Sequence, residues 1–290
     1  MQFKKLMLLF LSCVLILALS ATTAVAEEGI NSDKGSRSSK MLTTSLGKYF
    51  DVNKLAYGVS NQGILATSPD INNKYLGLYL PKEQRELSIL YTQGLWIAGL
   101  VEGKVRTAAC SYGTEFQPGQ IIDGQPDDPE QEKYKVYKYN KGDVVDQAAI
   151  DQGAPSEVLG DHMLYPVYND LPPHTTFDTQ PIGVEVQQTV WGYKAPIALA
   201  HTIFIRFRII NKGEHDVDST YLGAFYDPDL GDANDDATGC DSANGFVYVY
   251  NGENTDANYG DAVPAMASDF FQGPVVPKEG RTATLPDGTV

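Results

Sequence analysis

Between residues 46 and 272 the apolar positions come in short runs closed by Gly, Pro, Asn and Asp. That is the pattern of strands and turns rather than of helices. The clearest run is 201–211. Ile203, Ile205, Phe207 and Ile209 fall on one side of it, and Arg206 and Arg208 on the other, as the two-residue repeat of a half-buried strand requires. Asn211-Lys212-Gly213 predicts a turn, and residues 219–226 predict a further strand that runs straight into Asp227. Runs 94–101 and 104–110 flank Glu102-Gly103, a hairpin signal. Ile182, Val184, Val186 and Val190 mark one face of a strand over 182–191, and residues 134–139 alternate lysine with tyrosine or valine. Residues 246–250 form another strand ahead of Asn251-Gly252. Helical patterning is confined to 81–91 and 143–152. Two long stretches, 118–133 and 153–180, read as loops, and loops of that length inside a domain tend to serve a function. The expected fold class is all-β, an antiparallel β-sandwich with long loops, built as one supersandwich or as two Ig-like halves.

The ends add a cellular setting. Lys4 and Lys5, the apolar run 6–19 and Ala24-Val25-Ala26 have the layout of a secretory signal peptide over residues 1–26. A polar leader follows over 27–45. Residues 273–290 are rich in Pro and Gly and read as a linker, so further domains of a longer chain are expected beyond it. The expected location is secreted or at the outer cell surface, with no transmembrane span after signal removal. Loss of the signal removes two lysines and no acids, which takes the formal charge from −15 to −17. Such a balance disfavours nucleic acid and anionic membranes as partners. Cys110 and Cys240 survive the cleavage; an exported pair can form a disulfide, and two separately placed thiols are the alternative.

The chemistry concentrates in DPDLGDANDDATGCD, residues 227–241, which hold six aspartates and no basic residue. Carboxylates at that density need a counter-charge or full solvation. Calcium, with six to eight oxygen ligands in a flexible shell, is the expected counter-ion. The stretch is no EF-hand: Asp232, Asn234 and Asp236 match its opening, but Ala237 replaces the turn glycine and Ala243 the closing glutamate. A solvated acidic turn is the alternative. Asp161 and His162 would suit an acid–base pair, but neighbours in an extended segment point to opposite faces. H-E-x-x-H, G-x-S-x-G and P-loop motifs are absent from the sequence. A glycosidase needs only two carboxylates brought together in space, so spacing does not exclude one. Trp96 and Trp191 accompany 17 tyrosines. Trp191 reads as core, and Tyr137, Tyr139, Tyr248 and Tyr250 as core or cross-strand pairs before ligand contacts.

Four segments carry a resemblance: GLWIAG at 94–99, IFIRFRIINKG at 203–213, DSTYLGAFYDPDLGDANDD at 218–236 and DFFQGPVVP at 269–277. In these the chain resembles large secreted β-sandwich proteins of environmental bacteria, many of which end in a type IX (Por) secretion sorting domain. The resemblance implies export, β-sandwich modules and a longer parent architecture, and it suggests Asp227, Asp229, Asp232, Asp235, Asp236 and Asp241 as metal ligands. The expected function is a secreted, non-enzymatic interaction or scaffold module stiffened by calcium, with extracellular polymers or proteins as partners. A carbohydrate-binding or glycoside-hydrolase-associated domain is the alternative.

Overall fold

In the computed structural model the described residues are 47–66 and 77–273; the expected signal peptide, the leader and the tail from 274 onward lie outside them. In chain order the strands are β1 (Gly47–Phe50), β2 (Ala56–Ser60), β3 (Leu78–Tyr79), β4 (Ser88–Leu90), β5 (Thr92–Val101), β6 (Lys104–Ala109), β7 (Gln117–Pro118), β8 (Ile121–Ile122) and β9 (Gln125–Pro126). There follow β10 (Tyr137–Asn140), β11 (His162–Tyr165), β12 (Val167–Asn169), β13 (Val184–Gly192), β14 (Phe204–Asn211), β15 (Val217–Asp227), β16 (Asp236–Asp241), β17 (Phe246–Asn251) and β18 (Met266–Asp269). Every ladder is antiparallel, so the chain is all-β and sandwich-like, as expected.

β13 is the hub. β14 lines one of its edges along eight residue pairs. β11 and β12 share the other edge in series, one opposite Leu164 and Val190 and the other opposite Tyr168 and Val186. The break between them is Pro166, which has no N–H to give to a ladder; its carbonyl still accepts from Gln188 N at 3.0 Å. Leu164, Tyr168, Val184, Val186, Val190, Ile205, Phe207 and Ile209 point into the main core, against the sheet of β5, β6 and β15 and the ladder of β1 to β4. Met163, Tyr165, Val167 and Trp191 point the other way, onto Tyr134, Tyr137, Tyr139 and the segment around Ala149. The third ladder, β16–β17–β18, turns Val249 and Met266 inward onto the same main core.

Several expectations change. The helix expected over 81–91 is a set of turns ending in β4, and that expected over 143–152 is a single turn, Gln147–Ile150. Residues 153–180 are no plain loop: they contain β11 and β12, both wholly buried. Their apolar residues occupy both faces of a covered strand, so alternation is lost and the run 162–169 gives no strand period. The hairpin at Glu102-Gly103 forms as expected, with both residues at positive φ (51° and 74°). Cys110 and Cys240 are both free thiols, the first buried and the second exposed.

Leu65 sews two ladders together. Its backbone bridges Val59 of β2 and Gln93 of β5, with reciprocal Leu65–Gln93 bonds of 2.9 and 3.0 Å, while its side chain is fully buried. Leu65→Ala keeps those backbone bonds but empties the seam, and is expected to cost about 2–5 kcal/mol in urea unfolding. A loss below about 1 kcal/mol would show that the seam does not depend on this side chain.

Candidate functional site

The acidic stretch begins where β15 ends. Asp227 pairs with Thr92, and its carbonyl accepts from Tyr91 N at 2.8 Å. The chain then drops Leu230, wholly buried, into the main core. That apolar plug fixes the loop around it. Leu230 N donates to Asp236 Oδ2 at 2.9 Å, and Gly231 N donates to Ser88 O at 3.0 Å. Gly231 has φ +83°, and a Cβ there would stand 2.3 Å from Asp256 Oδ1, so only glycine fits.

Asp256 is a functional residue of the loop that sequence spacing does not reveal. Almost fully buried, it accepts Asp232 N at 2.8 Å on one oxygen, and Asn258 N and Tyr259 N on the other. Burial pushes its pKa up, but the backbone donors from Tyr259, Asp232 and Asn258 prevail and hold it below the usual carboxylate range. It lies 24 residues beyond Asp232; the local cue is the turn it closes with Gly260.

Of the six aspartates suggested as ligands, five gather at this end and one does not. Asp229 lies within the field of both Asp227 and Asp236, and Asp236 within that of Asp235, Asp256 and Asp232. Desolvation first, then these like charges, raise the pKa of Asp229; desolvation likewise leads the rise at Asp236. Asp241 stands at the far end of β16, roughly 16 Å from Asp236 at about 3.3 Å per residue. Its oxygens accept Ala243 N, Asn244 N and Asn244 Nδ2, so it caps the β16–β17 turn. The second half of the expected loop is thus a strand.

Three buried side-chain oxygens have no hydrogen-bond partner here: Asp235 Oδ1, Asp236 Oδ1 and Asn251 Oδ1. Asn251 faces Asp236 across the β16–β17 ladder. Its Nδ2 is committed to Glu253 O and Thr255 O, which leaves the amide oxygen unanswered. Gly252 N, next in the chain, donates to Asp235 O at 2.6 Å. All three orphans are acceptors, two of them on carboxylates whose neighbours are also acids. Among the described residues no three His, Cys, Asp or Glu side chains form a ready-made metal-holding group.

Asp161 and His162 are held apart. Asp161 pairs with Lys141 at 3.0 Å and accepts Lys194 N at 2.8 Å, and these contacts lower its pKa. His162 points inward, stacked on Phe50 with centroids 5.3 Å apart, and neither ring nitrogen has a partner. Asp51 Oδ1 lies 3.7 Å from Nδ1, but Lys138 binds that same oxygen. Tyr137 and Tyr139 are buried and stacked, as expected. Trp191 is half-buried against Phe204. Tyr248 and Tyr250 stand exposed on β17.

Burial, aided by the Lys138 charge, pushes His162 down to about 4. The unfolded chain, near 6.5, therefore takes up this proton first as pH falls. His162 favours the fold fully above about pH 6.5, and that contribution fades between 6.5 and 4, at up to about 1.4 kcal/mol per pH unit. Urea unfolding of wild type and His162→Leu between pH 7 and 4.5 is expected to show wild type losing stability faster on acidification. Parallel curves would refute this account of His162. No family model, no curated protein and no solved structure matches this chain.

Proposed function

We propose that the protein is an exported, non-enzymatic β-module of the cell surface or medium, in which a structural calcium ion stiffens the junction of β15, β16 and β17. The observation that carries the reading is the trio of buried, donor-less oxygens on Asp235, Asp236 and Asn251, set among Asp229 and Asp232. A buried acceptor left unpaired costs about 1–3 kcal/mol, more when charged. Adding another hydrogen-bond acceptor does not relieve it; a donor or a cation does. Calcium accepts carboxylate, amide and backbone oxygens together, a wider donor set than carboxylates alone. Bound there, it would offset both the desolvation, which is the first cause of the raised pKa of Asp229 and Asp236, and the like charges that add to it.

The chain's own residues do the positioning. Leu230 anchors the loop in the core, Asp256 ties down its backbone through Asp232 N, and the β16–β17 ladder holds Asp236 opposite Asn251. The Asp227 carboxylate also engages the Tyr112 hydroxyl, raising that group's pKa. The signal-peptide pattern and the high negative charge support the extracellular setting. Among the described residues no helix is long and apolar enough to cross a membrane.

The test is calcium titration by calorimetry, with melting curves in calcium and in chelator. Saturable binding and a higher melting temperature in calcium are expected, since a ligand held at about 100 times its Kd adds about 2.7 kcal/mol. Asp236→Asn is expected to weaken binding at least tenfold (about 1.4 kcal/mol), and Asp241→Asn to leave it unchanged. Melting that ignores calcium would sink the reading. An Asp241→Asn effect as large as that of Asp236→Asn would overturn the assignment of ligands.

A further inference from the structure

The ladder that carries this junction presents an unusual outer face. Directly paired residues of antiparallel strands point to the same side. On the side away from the core, Tyr250 lies beside Ala237, Tyr248 between Gly239 and Ala267, and Phe246 between Asp241 and Asp269. The central strand thus bears a row of three aromatic rings, with centroids 6.0 and 6.1 Å apart. Its neighbours at Tyr248 and Tyr250 are the smallest side chains available.

Gly239 shows how the row is held. A Cβ at this position would stand 2.5 Å from Tyr248 Cζ, 2.6 Å from its hydroxyl oxygen and 2.8 Å from Cε2. The outer end of the Tyr248 side chain therefore lies over the β16 backbone at Gly239. Tyr248 remains 37% and Tyr250 46% exposed. Buried aromatics of this chain behave differently: Tyr57, Tyr165 and Tyr168 bury both ring and hydroxyl and bond the hydroxyl within the protein.

The charge around the row selects its occupant. No lysine or arginine occurs from Gly213 through Pro277, while acids recur throughout that span. Phosphate-bearing and other polyanionic chains are repelled, and a second copy of this surface would be too. A basic peptide is less well matched, because the residues paired with Tyr248 and Tyr250 are Gly239, Ala267 and Ala237, and the two carboxylates of the face, Asp241 and Asp269, flank only Phe246 at its far end. What remains complementary is a neutral ligand with apolar C–H faces to lie on flat rings and O–H donors for the oxygens at the rim. We infer that the Phe246–Tyr248–Tyr250 face of β17 binds neutral polysaccharide chains by stacking of sugar rings.

This names a partner for the module proposed above and rests on that reading only for its extracellular setting. The proposed calcium site lies at the Tyr250 end of the same ladder, since Asp236 and Asn251 form the next pair.

Affinity gel electrophoresis of the purified full chain tests it, with hydroxyethyl cellulose and galactomannan as neutral probes, alginate as the polyanion and poly-lysine as the polycation. Retardation by at least one neutral polymer is expected. Tyr248→Ala should weaken it roughly tenfold, with melting temperature unchanged. Tyr248→Phe, which keeps the ring, should stay within about twofold of wild type. No retardation by either neutral polymer overturns the inference, as does retardation by poly-lysine alone or a Tyr248→Ala variant that binds like wild type. Ring-dependent binding that persists in chelator upholds the inference whatever the melting curves say of calcium. An intact calcium response with no glycan binding overturns this inference alone.

Discussion

A strand buried on both faces needs partners for the polar groups it carries, and β13, buried along nearly its whole length, finds them for most, Gln188 Nε2 being the exception. Its even positions are mostly valine and fill the main core. Three of its four odd positions are polar, Glu185, Gln187 and Thr189, and they survive burial because partners come from several sides. Glu185 accepts Ile121 N and Gln187 Nε2, Gln187 accepts from Arg208, and Thr189 lies at the edge of reach of Arg206. Asp170, fully buried just outside the strand, receives the backbone N–H groups of Ile182, Gly183 and Val184 and so sets where β13 begins. Burial raises its pKa despite these donors and the neighbouring His174. The two arginines of β14 stand on its exposed face, as the alternation implies, and reach across from there to Thr189 and Gln187.

The same logic runs out to the candidate site. Cores tolerate no gap, so Leu230 is drawn inward and the acidic chain on either side of it must follow. The backbone groups that this bend strands are collected by Asp236 and Asp256, and Gly231 leaves room for the latter. The oxygens that stay unanswered on Asp235, Asp236 and Asn251 are what this packing leaves over, and they give the calcium reading its physical content. The β16–β18 ladder then shows a division of labour by face. Val249 and Met266 attach it to the core, and the opposite side carries rings that the core does not need.

Calcium, export and the glycan partner are proposals that stand on residues of this chain: the orphaned oxygens, the signal-peptide pattern and the open ring row.

Much of the architecture is written in the sequence. Residues 201–211 form a strand close to where two-residue alternation puts it, and residues 94–110 and 219–226 form strands close to where their runs and turn signals put them. The positive-φ hairpin at Glu102-Gly103 follows from local backbone preference alone. Local signals fail where the environment is the same on both sides: β11 and β12 are buried on both faces, so no alternation marks them. They fail again where a partner is remote in the chain, as with Asp256 beneath Gly231, Asn251 opposite Asp236, and Gly239 under the Tyr248 ring. Sequence therefore determined that this is an antiparallel β protein with a concentrated acidic segment. Only the tertiary structure decided which of the six aspartates stands apart, since β16 takes Asp241 to the other end of a strand, and which aromatic row faces solvent, since pairing register rather than composition assigns side chains to faces.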